Sequence, residues 1–73
     1  MKLVNRDMTR ECVTIYTKGN QIYAEIWSKT SQKWKIETYF KDYGFPVDKE
    51  LISSTVRYIK RIWGLKNPKV IVN

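Results

Sequence analysis

The chain has 73 residues, with fourteen Lys and Arg against seven Asp and Glu, a formal net charge of +7, one cysteine and no histidine. That length holds one small domain, spanning residues 1–73, and such a domain buries only about 60% of the surface its unfolded chain exposes. An internal disulfide is excluded, the commonest neutral-pH base and zinc ligand is missing, and no apolar run approaches the roughly 20 residues of a membrane span.

Met1 to Asp7 does not lead into the apolar stretch of a signal peptide, so a soluble, cytoplasmic protein is expected. The stretch from Met1 to Arg10 has room for a short edge strand at Lys2–Asn5. Cys12 to Thr17 alternates and is rich in β-branched residues, with Val13 and Ile15 on one side and Thr14 and Tyr16 on the other, which reads as a first strand. Lys18-Gly19-Asn20 is a hairpin signal, since glycine and asparagine tolerate positive φ. Gln21 to Ser28 alternates again, with Ile22, Ala24 and Ile26 opposite Tyr23, Glu25 and Trp27. Lys29 to Gln32 is a polar connection of hairpin length. Lys33 to Phe40 is a third strand, with Trp34, Ile36 and Phe40 read as one face and Lys33, Lys35, Glu37 and Tyr39 as the other.

Gly44 and Pro46 break the strand pattern, and Asp48 is placed to cap a helix whose first turn holds Glu50. From Lys49 to Trp63 the period becomes helical: Leu51, Ile52, Thr55, Val56, Ile59, Ile62 and Trp63 fall within about 140° at 100° per residue. Gly64 suits the left-handed position after the last turn, Leu65 the apolar contact beyond it, and Pro68 prevents resumption. Lys69 to Asn73 is β-branched and reads as a fourth strand that would run parallel to the first. The expected fold class is α+β, a three-stranded antiparallel meander joined by this C-terminal strand and packed on one C-terminal helix.

Catalysis has little to stand on. No phosphate-cradling glycine loop or nucleophile elbow occurs, no motif pairs the carboxylates, and no metal or organic cofactor is expected. The informative feature is the second face of the sheet, read as Tyr16, Tyr23, Trp27 and Tyr39 together with Lys33 and Lys35, with Lys18 and Lys29 at the hairpin ends. Rings beside ammonium groups suit a nucleic acid, DNA or RNA, whose bases stack while its phosphates meet the lysines. The same rings suit a protein partner or a homodimer seam, where aromatic side chains bury large area at low entropic cost. Arg57, Lys60 and Arg61 on the outer side of the helix, with Lys66 just beyond its end, form a second basic group, a solvated face or a phosphate contact.

Three antiparallel strands followed by one helix, over residues 11 to 64, is similar in architecture to the small DNA-binding domains of some integrases and plant transcription factors. That resemblance implies a sheet laid against a duplex. In size and composition the chain also resembles small regulators of phages and other mobile elements, which implies a host protein as target. The sequence expectation is therefore a non-enzymatic binding module, with nucleic acid first and a protein partner as the alternative.

Overall fold

The structure, a computed structural model, describes residues 10–73, so the edge strand expected at Lys2–Asn5 lies outside the described residues. The elements are β1 (Cys12–Lys18), β2 (Gln21–Thr30), β3 (Lys33–Asp42), α1 (Lys49–Trp63) and β4 (Lys69–Val72). They form one four-stranded sheet of order β3-β2-β1-β4, antiparallel through the meander and parallel between β1 and β4. The α+β architecture is the one the change of hydrophobic period implied.

Both hairpins turn in two residues. Lys18 pairs with Gln21, leaving Gly19-Asn20 with Gly19 at φ 58°. Thr30 pairs with Lys33, so the connection is Ser31-Gln32, shorter than the expected stretch from Lys29 to Gln32. Ser31 and Gln32 hold φ of 52° and 67°, the left-handed conformations a tight right-twisted hairpin demands.

α1 has the caps its sequence announces. The Asp48 carboxylate accepts from the Leu51 amide at 2.9 Å, and Gly64, at φ 66°, ends the last turn. The Leu65 amide then donates to the Lys60 carbonyl at 2.8 Å, an acceptor it shares with the Gly64 amide. The core lies between the helix and the inner face of β1 and β2: Val13, Ile15, Ile22, Ala24, Ile26 and Ile59 are fully buried, and Leu65 nearly so. Leu51, Ile52, Val56 and Trp63 pack around this cluster, while Ile62 remains exposed. Tyr43 and Thr55 share a 2.9 Å hydrogen bond that ties the β3–α1 connection to the helix.

β3 differs from the sequence reading in which way it faces. Residues directly opposed in a ladder share a face, and Tyr23 opposes Phe40, Trp27 opposes Ile36 and Lys29 opposes Trp34. Ala24 opposes Tyr39, Ile26 opposes Glu37 and Ser28 opposes Lys35. Trp34, Ile36 and Phe40 therefore belong to the outer face, and Lys33, Lys35 and Tyr39 to the helix side, the reverse of the expectation. The cause is the even-numbered turn, which joins residues of one face: inward Ser28 meets Lys35, and every following residue of β3 keeps that parity.

Candidate functional site

The outer face of the sheet is built in rows. Alternate residues of a strand are about 6.8 Å apart along it. Tyr16, Tyr23 and Phe40 form one row near the β1–β2 turn, and Cys12, Trp27 and Ile36 another toward the opposite end, with Trp34 beyond. Between them lies a polar row of Thr14, Glu25 and Thr38, continued onto β4 by Ile71. None of the described elements covers this face, because the single helix sits on the other side.

The rings are organised in pairs. Trp27 and Trp34 stack with centroids 5.4 Å apart and planes 12° apart, and Tyr16 leans on Tyr23 at 5.8 Å. Exposure is high for a sheet this apolar: 57% for Phe40, 46% for Ile36 and 38% for each of Tyr16 and Tyr23. A 280 Å³ hollow opens between Tyr16, Lys18, Gln21, Tyr23 and Phe40. The charges sit at the margins, with Lys18 and Asp42 near one end and Lys29 and Lys69 near the other. Glu25 is the exception. It is half-buried at the centre, accepts from the Tyr16 hydroxyl at 3.3 Å, and has no cation within ion-pair distance among the described residues.

Five of the residues expected on this face are on it: Tyr16, Lys18, Tyr23, Trp27 and Lys29. Lys33, Lys35 and Tyr39 are a correction, placed on the helix side. There Lys35 Nζ lies 3.4 Å from the Glu37 carboxylate, and the Tyr39 ring meets that of Tyr58 at 5.8 Å. Burial first, and then the neighbouring Tyr43 and Tyr58, push the Tyr39 phenol up to about 12. Glu37 is held below the usual carboxylate range, foremost by the Trp63 indole, which donates to it at 2.5 Å, and then by Lys35.

The second basic group is divided. Arg57 donates to the Ser54 hydroxyl at 3.3 Å and Arg61 lies over the Tyr58 ring, Cζ to centroid 5.8 Å, with half-buried Lys60 beside them on α1. Lys66 stands apart, sharing a 380 Å³ hollow with Lys29, Trp34 and Arg10 at the far end of the helix. The residues missed on the outer face are Trp34, Ile36 and Phe40, and the signal for them was the even length of the β2–β3 connection. The register also separates Glu25 from Lys33 and Lys35, which lie on the other face.

Among the described residues no helix is long and apolar enough to cross a membrane, and no group of three or more Cys, Asp or Glu is placed to hold a metal. The chain matches no family model, and the comparisons with curated proteins and with solved structures found no match.

Proposed function

We propose that the chain is a small non-catalytic docking domain that binds another protein through the outer face of its sheet. One observation carries this reading: the β3 register sets Trp34, Ile36 and Phe40 beside Tyr16, Tyr23 and Trp27 while removing Lys33 and Lys35. What is left is two apolar rows separated by a polar one, Thr14, Glu25 and Thr38, with one carboxylate at its centre. A nucleic acid finds its lysines only at the margins there and meets Glu25 in the middle, whereas a protein partner finds rings and aliphatic groups rimmed by polar residues.

The dimensions suit a small interface: β2 and β3 are ten residues long, β1 seven and β4 four, so strands about 4.8 Å apart make a face of roughly 500 Å² in projection, toward the lower end of recognition surfaces.

Glu25 narrows the partner. A carboxylate covered by another surface loses its water, and that cost is offset only when a cation or several donors replace it. Tyr16 alone does not suffice. A second copy centred on the same face would set Glu25 against Glu25. The partner is therefore a different protein, presenting an arginine or lysine with apolar groups about 7 Å to either side.

The test is selection of a random peptide library on the immobilised chain, with light scattering of the chain alone. The expected outcome is a monomer that selects peptides rich in Arg or Lys between apolar residues, with clones that fail to bind an Ile36→Ser/Phe40→Ser variant. A stable dimer, or clones indifferent to that variant, overturns the reading. Clones that need Phe40 yet show no preference for a cation leave the face standing and remove the role given to Glu25.

A further inference from the structure

We propose that the seam between β3 and α1, on the opposite side of the sheet, is a second binding site, and that its ligand is single-stranded nucleic acid. The register that strips lysines from the outer face collects them here. Lys33, Lys35 and Lys41 project from the inner side of the edge strand and are exposed. From the separately expected basic group, Arg61 lies over Tyr58 of the seam, and Arg57 stands on the outer side of the helix and bonds Ser54 at the margin of the region.

Between strand and helix is a 290 Å³ hollow whose walls include Tyr39, Lys41, Tyr43, Ser54 and Tyr58. Cations here are held against ring faces, Lys41 Nζ 5.0 Å from the Tyr43 centroid and Arg61 Cζ 5.8 Å from that of Tyr58. On the strand side of this region Glu37 is already engaged, accepting from Trp63 and pairing with Lys35, while Glu50 lies at the N-terminal end of the helix near Arg57. Positive charge beside accessible rings along a groove is the combination that binds a single strand, phosphates on the cations and bases on the rings.

Two features favour a single strand over other polyanions. The rings are set back in a hollow, where an unpaired base can enter and a paired one cannot. The cations follow a strand edge and a helix instead of lying in a plane, so an anionic membrane would reach few of them at once. Lys33 to Lys41 spans about 27 Å, the length of roughly four extended nucleotides. The site is independent of the outer face, and the domain would join a protein on one side to a strand on the other.

The experiment is fluorescence anisotropy of the intact chain with labelled 20-nucleotide oligo(dT) and oligo(U), the corresponding duplex, and vesicles containing 30% phosphatidylserine, over a range of salt. The expected result is single-strand binding with a log–log salt slope of about −3, from four phosphate contacts. Lys33→Ala/Arg61→Ala should reduce the slope by about 1.4. Tyr58→Ala should weaken binding by about tenfold at constant slope, the loss of one stacked base. Ile36→Ser/Phe40→Ser should leave binding unchanged. Absence of binding at low salt, equal or tighter binding of the duplex or the vesicles, or loss of binding with the outer-face variant but not with Lys33→Ala/Arg61→Ala would each overturn the proposal.

Discussion

The ring of Trp34 lies flat against that of Trp27, 5.4 Å between centroids, on the side of the sheet that the helix does not reach. Both rings are partly exposed, and the contribution of the stack to stability is that of a surface pair. Trp34→Ala is expected to cost about 1 to 2 kcal/mol, stacking energy plus the area covered, and to leave a folded domain. A core tryptophan would cost about 3 to 5 kcal/mol, enough to unfold a chain this small. Urea denaturation separates the two cases.

Trp63 reports on the other side of the sheet. Its indole donates to Glu37, whose folded pKa lies below the ordinary 4.5 because of that bond and of Lys35. A depressed carboxylate contributes stability that is present above the unfolded pKa and is lost as pH falls through the folded value. The Trp63 indole resonance should therefore shift only below pH 4.5, and Glu37→Gln should abolish that titration. A Trp63 signal that titrates identically in the variant contradicts the assignment.

Tyr39 sets the alkaline limit in the opposite sense. Its pKa is raised to about 12 by burial and by the neighbouring Tyr43 and Tyr58. Its neutral form therefore contributes stability that is complete below pH 10 and is lost as pH rises toward 12. Absorbance titration of tyrosinate should show a late step near the upper value, and Tyr39→Phe should remove it.

The β2–β3 turn carries avoidable strain. Gln32 sits at φ 67° without being glycine, in a two-residue turn that favours Asn-Gly. Gln32→Gly should stabilise the fold by about 1 kcal/mol, or roughly 4–8 °C in Tm. Thermal melting with no gain, or a loss, would show that the Gln32 side chain contributes something the turn geometry does not reveal.

Most of the architecture was legible because local and global signals agree. Asp48, Gly64 and Leu65 mark the helix ends, and Val13, Ile15, Ile22, Ala24 and Ile26 alternate cleanly toward it. β3 was misread because hydrophobicity alone assigned its inward face. As an edge strand beside an uncovered surface it carries Trp34, Ile36 and Phe40 outward, and the helix reaches its inner side at Tyr39 and Glu37. Turn parity held the correct answer, since a connection of two residues or of four places Lys33 and Lys35 on the face of Ser28. Hydrophobic pattern alone does not single out Glu25, because its isolation depends on where parity sends those two lysines.

The three indoles offer the most direct test, since Trp27 and Trp34 stand on the outer face and Trp63 on the inner side. With a peptide selected on the chain, the indole N–H signals of an isotope-labelled sample are followed through a titration. The expected result is that Trp27 and Trp34 move together to saturation while Trp63 stays still. Movement of Trp63 with Trp27 and Trp34 unaffected would place the docking surface on the helix side and contradict the assignment of the outer face.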